Sequence, residues 1–304
     1  MTPRGSRPYA GAADLRRMEE ALAAAYRSTS LRVGDLSWLS REHSHRELAL
    51  DIRLWEDDRG RLVAWTWFRP NGEFNVFVTP GEGHDALFDE LLAVVEEAAR
   101  AAVTAGDPPV GLATYGIDPA RSAEDRGLEA ALRRAGFGVD PSTSGALTRP
   151  LDDVPAPVVP AGYRLGWVET RARLLGRVEA HRAAFAPSEL TAKKYERVQR
   201  TWCYRPELDR IVLTDADKVV AFCTAWLDEA NAAGLLEPVG TAPGHRRRGL
   251  ARAVCTDALR ALQGAGARRA QVGFGSAAGY ATYSSIGFEL LGADLSFWRD
   301  PAPA

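Results

Sequence analysis

The stretch VGTAPGHRRRGLARAV, Val239 to Val254, sets three consecutive arginines, Arg246, Arg247 and Arg248, just before an apolar-striped segment. Leu250, Val254 and Ala258 recur at helical spacing with Ala251, Cys255, Leu259 and Leu262 beside them, which predicts a helix from about Gly249 to Leu262. The unpaired N–H groups and positive dipole end of such a helix attract anions. Exposed cations at that end each cost about 0.3–1 kcal/mol, so three together imply a compensating negative charge, and a phosphate group supplies it. Small residues at Gly249 and Ala251 let backbone approach that anion closely. A solvated arginine run without a ligand explains neither the strand-like GLLEPVGTAP before it nor the small-residue spacing.

Two more residues have types suited to group transfer. Glu237, in LLEPVGT, alternates onto the same strand face as Val239 and Thr241 and could serve as a general base. A strand-end glutamate that meets solvent or pairs with an arginine would read the same way, and both readings stay open. Tyr283, in AGYATYSSIGF, carries a phenol of ordinary pKa about 10 that suits a general acid, or else a core position on an apolar helix. Asp228 and Glu229 are weaker substitutes for the base.

These residues need elements to hold them. The chain has 304 residues, 46% of them hydrophobic, enough for two domains of roughly 100–200 residues with real cores. The seam is RPLDDVPAPVVPAG, Arg149 to Gly162, whose four prolines predict an extended linker over 151–160 between domains 1–150 and 161–304. In the first half, Arg61 to Pro80 reads as two strands around an Asn-Gly turn, followed by helices over Ala86 to Ala102 and Leu128 to Phe137. The second half repeats the order: strands over Lys218 to Glu229 and Gly234 to Pro243, the helix after Gly249, a strand over Arg269 to Gly275, and a helix over Ala278 to Phe288. The expectation is a duplicated α/β unit, each copy a mixed, mainly antiparallel twisted sheet flanked by helices.

Net charge is −2, so no global basic surface offers itself to nucleic acid. The three cysteines, Cys203, Cys223 and Cys255, are scattered in apolar context; they read as reduced thiols in a cytoplasmic protein and as poor metal ligands, and no metal is expected. No segment reads as a secretory signal or a membrane span.

Pro243 followed by R-x-x-G-x-A at Arg246, Gly249 and Ala251, between a strand and a helix, resembles the acyl-CoA pyrophosphate loop of the GNAT N-acetyltransferase superfamily. Downstream, Ala277 to Phe288 is similar to the family's second signature, with Tyr283 five residues before the phenylalanine of Gly287-Phe288. The two cover roughly Gly234 to Phe288. Ser276 stands where the family often has asparagine, and Gly279 where it has alanine. The resemblance implies acetyl-CoA as co-substrate and a small-molecule amine as acceptor. It implies that backbone of Val239, Gly240 and Thr241 meets the pantetheine arm, that Arg246, Arg247, Arg248, Gly249, Leu250 and Ala251 hold the pyrophosphate, and that Ser276 and Tyr280 add cofactor contacts. Tyr283 would then sit near the thioester sulfur, and the N–H of Val239 would face the oxyanion.

The first half lacks these features. GEGHDAL follows Pro80 with acids at Glu82 and Asp85, and Leu132 stands five residues before Phe137. It reads as a degenerate copy, in a tandem arrangement similar to mycothiol synthase. His43 and His45 read as surface residues, His181 as a structural helix-face histidine or a residue of the substrate entrance, and Lys193 to Arg210, with Tyr195 and Tyr204, as a substrate-facing lid. A catalytically silent acyl-CoA sensor or scaffold is the competing function. A nucleotide-dependent oxidoreductase is disfavoured because GAGARRA at Gly264 to Ala270 follows a helix and precedes a strand, the reverse of a dinucleotide fingerprint. Whether the chain forms a homodimer is left open.

Overall fold

The computed structural model describes residues 5–41, 51–69, 71–81, 85–104 and 109–301; His43, His45 and Glu82 lie outside them. In chain order the elements are β1 (Ser6–Pro8), α1 (Ala12–Ala24), α2 (Val33–Leu39), β2 (Ile52–Glu56), β3 (Leu62–Phe68), β4 (Phe74–Val78), α3 (Asp85–Thr104), β5 (Leu112–Ile117), α4 (Ala123–Arg134) and β6 (Gly138–Pro150). There follow β7 (Tyr163–Trp167), α5 (Arg171–Ala184), α6 (Ala192–Val198), β8 (Asp209–Thr214), β9 (Val219–Asp228), β10 (Ala233–Thr241), α7 (Leu250–Gly264), β11 (Arg269–Phe274), α8 (Ala277–Ser284) and β12 (Glu289–Arg299). Two compact units result. One takes Met1–Arg32, His43–Gly145 and Gly292–Ala304, the other Val33–Glu42 and Ala146–Leu291. Residues 33–41 and 292–301 thus each pack with the unit that the linear order does not suggest.

In the first unit, β1 to β4 form an antiparallel sheet in that order. Gly72 makes the turn between β3 and β4 at φ 87°, a conformation that favours glycine. Helices α3 and α4 bury Phe88, Leu91 and Leu132 with Trp55, Phe74 and Phe297 in one core. Helix α4 starts earlier than its apolar pattern suggests, because Ser122 caps it by accepting from the Asp125 N–H at 2.9 Å.

In the second unit, β7, β8, β9 and β10 pair antiparallel in sequence. Strand β9, VVAFCTAWLD, is buried at every position, which explains its near-continuous apolar run. Helix α7 lays Leu250, Val254, Ala258 and Leu262 into this core, as the spacing predicts. Strand β11 joins β10 in parallel only over Ala233–Leu235, and β10 then shifts register against β9 between Leu236 and Val239. Helix α8 stops at Ser284, short of Phe288, and Gly287 turns the chain at φ 86°. Helix α2 packs tightly within this unit: a Cβ on Gly34 would lie 2.3 Å from Cγ of Trp226.

The proline-rich stretch begins as a strap. Leu151 and Val154 are buried in the second unit's core, and their carbonyls accept from Gln263 Nε2 and, at 3.0 Å, from Arg260 Nη1. The Leu151 N–H donates to the Arg268 carbonyl at 2.9 Å. Prolines stiffen the segment, but its two apolar side chains decide where it lies.

Candidate active site

The end of β10 organises the site. Past Leu235 the parallel ladder to β11 stops while pairing to β9 continues through Val239–Cys223, Gly240–Phe222 and Thr241–Ala221. One edge of β10 therefore offers its backbone groups to a ligand beside the gap. Val239 is half-buried against the core, and the Thr241 hydroxyl is buried without a hydrogen-bond partner. The β10 edge and this orphaned oxygen fit an extended, amide-bearing arm.

Beyond Thr241 the chain makes a short 3-10 turn at Pro243–His245 and enters α7 through Arg247 at φ 62° and Gly249 at φ 80°. The first helical bond of α7 runs from the Ala253 N–H to the Gly249 carbonyl, so the N–H groups of Leu250 and Ala251 point out of the helix end. Leu250 itself is buried, leaving only its backbone for a ligand, and Ala251 is half-buried. A Cβ on Gly249 would meet nothing within 4 Å, so its left-handed φ, not crowding by the protein, demands glycine here. The three arginines are exposed. Arg246 donates to the carbonyls of Thr241 at 3.2 Å and Ala184 at 3.0 Å, whereas Arg248 Nη1 donates to the Tyr163 hydroxyl at 3.2 Å, which lies 2.9 Å from His245 Nδ1.

Glu237 faces a cavity of about 470 Å³ lined by Trp38, Arg41, His181, Phe185, Ser188, Glu189, Leu190, Lys194 and Pro238. Its carboxyl is held well above the usual carboxylate range, chiefly by burial and next by the adjacent Asp35, with which it shares a hydrogen bond; Arg41 opposes the shift. A hydrogen bond between two carboxyls requires one of them to keep a proton. Glu237 is half-buried, with Asp35 and Arg41 both acting on its carboxyl. Asp228 and Glu229 are engaged elsewhere: Asp228 accepts from Asn231 Nδ2 at 2.7 Å, and Glu229 pairs with Arg205.

Tyr283 is buried beside Phe288, ring centroids 6.1 Å apart. Burial first, then Cys255, Cys223 and Glu237, pushes its phenol above the ordinary value, so it stays protonated. Ser276 caps α8, its hydroxyl accepting from the Gly279 N–H at 3.2 Å, and Tyr280 is exposed with its ring edge-on to Phe274 at 5.2 Å.

The lid expectation is corrected. Tyr195 is fully buried, and both its hydroxyl and that of Tyr204 donate to Asp209, the latter at 2.9 Å; of Lys193 to Arg210 only Lys194 lines the cavity. His181 does line it. Trp38 and Arg41 line the cavity and Asp35 adjoins Glu237, which no sequence pattern exposes, since seven-residue α2 is too short for a periodic signal and reaches the cavity only through the tertiary fold.

Residues 177–288 match the model of the Acetyltransferase (GNAT) family. This segment is similar to GNAT acetyltransferase domains. The whole chain superposes on a GCN5-related N-acetyltransferase from Sphaerobacter thermophilus with TM-score 0.67 at 18% identity, covering 99% of this chain and 96% of that one. It superposes equally on a tandem GNAT protein from the clavulanic acid biosynthesis pathway, with TM-score 0.66, 15% identity and 99% of each chain covered. Saccharomyces cerevisiae N-myristoyltransferase with bound myristoyl-CoA gives 0.60 at 13% identity, over 97% of this chain and 77% of that one. No curated protein matches by sequence. The fold is thus two tandem GNAT-like domains. Among the described residues no helix is long and apolar enough to cross a membrane, and no group of three or more His, Cys, Asp or Glu side chains could hold a metal ion.

Proposed function

We propose that the second unit transfers an acyl group, acetyl in the first instance, from acyl-CoA to a small-molecule amine by direct attack on the thioester. One observation carries the reading: the opened edge of β10 runs from Glu237 in the cavity wall to Thr241, and a short turn then leads to the left-handed Gly249 at the start of α7. A single strand and its following turn would hold pantetheine on Val239, Gly240 and Thr241, pyrophosphate at Arg246 to Ala251, and the acceptor beside Glu237.

An alkylammonium of ordinary pKa about 10.4 must lose a proton before it attacks. A carboxyl raised by burial and by a like neighbour is a stronger base than an exposed one, and general-base help of this kind contributes roughly 10²- to 10⁴-fold. The nitrogen–carbonyl bond forms as the carbonyl oxygen gains charge, which the Val239 N–H can meet. The carbon–sulfur bond then breaks. Tyr283, kept protonated, donates a hydrogen bond to the departing sulfur and supplies its proton if the thiolate takes it. The first unit keeps the fold without the R-x-x-G-x-A loop or the tyrosine: Leu132 fills that position in its core. It is read as catalytically inactive. Buried, unbridged Cys203, Cys223 and Cys255 suit a cytoplasmic setting.

Mass spectrometry of an amine panel incubated with acetyl-CoA tests the proposal. Acetylated product that disappears in Glu237→Gln supports it, whereas CoA binding without any product favours a silent acyl-CoA sensor.

A further inference from the structure

His181 stands in the wall of the cavity beside Glu237, and acyl transfer itself makes no use of it. It is 7% exposed, and its Nδ1 is sealed without a hydrogen-bond partner. Among the described residues Nε2 has no partner either, and it is the ring nitrogen left open to the cavity that His181 lines. A buried imidazole with neither nitrogen bonded is costly, and the cost falls once a ligand meets the open one.

The ring is held from three elements. Trp38 of α2 lies edge-on to it with centroids 5.3 Å apart, Phe185 just after α5 is tilted at 4.8 Å, and Phe222 of β9 at 5.7 Å. Close packing on these sides fixes the direction in which Nε2 points. Burial, then Arg177 one turn earlier on α5 and Arg41, depresses the pKa of His181 to about 2. The ring is therefore neutral, with one nitrogen a donor and the other an acceptor.

The rest of the wall does not select for a second charge. Its charged groups are of both signs, Glu189 and Glu237 against Arg41 and Lys194, and Arg41 acts on the Glu237 carboxyl. Leu190 and Pro238 add apolar surface to that of Trp38 and Phe185. A ligand group that docks on a neutral imidazole among such walls is itself neutral, because a buried charge without an opposite partner costs more than one hydrogen bond returns. A hydroxyl suits the place best: it both donates and accepts, so it pairs with Nε2 in either tautomer.

We infer that the acceptor is an amino alcohol, with its amine at Glu237 and its hydroxyl hydrogen-bonded to Nε2 of His181. The inference rests on the acyl-transfer reading for the fate of the amine only. The nitrogen gains the acyl carbon and gives its proton to Glu237, CoA leaves as the thiol, and the hydroxyl is a spectator that orients the nucleophile.

The test uses the full-length protein with CoA present and three amino alcohols of increasing reach, ethanolamine, 3-aminopropanol and 4-aminobutanol. Each is compared with the alkylamine that has methyl in place of the hydroxyl. Ligand-detected NMR titration is expected to show at least one amino alcohol binding about 10-fold or more tightly than its alkylamine. His181→Phe keeps a ring among Trp38, Phe185 and Phe222 but removes both nitrogens, and should bring that ratio to about one. His181→Gln, whose amide reaches the place of Nε2, should keep a preference of about 3-fold or more. CoA titration and thermal melts verify that the variants are folded, and the wild-type ratio is read without any substitution. Equal binding of alcohols and alkylamines, or no binding of any amino alcohol, overturns the inference. So does a preference that survives in His181→Phe, since a merely structural role would weaken both ligands alike. Acetylation is scored separately with acetyl-CoA. Alcohol-selective binding without product keeps the His181 contact and ends the acyl-transfer reading, while alkylamines acetylated as readily as the alcohols do the reverse.

Discussion

A Cβ placed on Gly240 would lie 2.3 Å from Cζ of Phe222, its cross-strand partner, so β10 passes that ring only as glycine. Phe222 in turn carries the buried Arg177 guanidinium 3.6 Å over its ring and stands next to Phe185 of the cavity wall, centroids 6.1 Å apart. Gly240→Val is expected to push this stack aside at a cost of about 1–3 kcal/mol. Thermal unfolding should fall by several degrees; an unchanged midpoint would show that the ring has room to move.

The Glu237–Asp35 pair sets a pH dependence. A base of raised pKa is active only once deprotonated, so kcat/KM should rise with pH through a midpoint above the ordinary carboxylate range of about 4. Asp35→Asn removes the like charge but keeps the burial, and should move that rising limb to lower pH. Glu237→Gln should lower kcat/KM by about 10²- to 10⁴-fold with CoA affinity retained. A limb that stays in place in Asp35→Asn removes Asp35 from the mechanism.

Substitutions in and beyond the Arg246–Ala251 loop, proposed above to hold the pyrophosphate, separate binding from chemistry. Gly249→Val forces a branched side chain into φ 80° and should weaken CoA binding by 10-fold or more. Gly264→Ala, at the far end of α7 where a Cβ meets nothing, should leave binding within about 2-fold and add a few tenths of a kcal/mol of stability. Tyr283→Phe should bind CoA normally and turn over at least 10-fold more slowly. Titration calorimetry and single-turnover rates read the two effects apart.

The first unit holds two acids with raised pKa, Asp125 and Asp294, both at about 6, chiefly through burial and, among nearby charges, through Asp118. Because the unfolded value is about 3.9, the folded state binds more protons between pH 4 and pH 6, and stability is lost as pH rises through 6. Asp294→Asn should flatten that loss, which is on the order of 1 kcal/mol for the half-buried group. Denaturant titrations at pH 5 and pH 7.5 measure it; equal stability in the wild-type chain at both values would remove the claim.

Local chemistry was legible where it repeats. The apolar stripe of α7, the β9 run, the turn at Gly72 and the proline stretch each follow from spacing or from residues with restricted φ, and so does the helix start just after Gly249. Helix limits were less so: Ser122 extends α4 upstream, and Gly287 lies beyond the end of α8, because caps are single side chains and not periods. Tyr195 and Tyr204 looked like ligand contacts because aromatic and charged residues alternate there, yet one acid, Asp209, draws both hydroxyls inward.

By itself the sequence determined the two copies, their element order and the glycine-hinged turn that opens α7, since these depend on neighbours a few residues apart. Only the tertiary structure decided that Glu237 meets Asp35, that Arg41 and Trp38 wall its cavity, and that Leu151 and Val154 belong to a core. Each of those pairings joins segments far apart in the chain, where burial and charge act through space and leave no trace in local spacing.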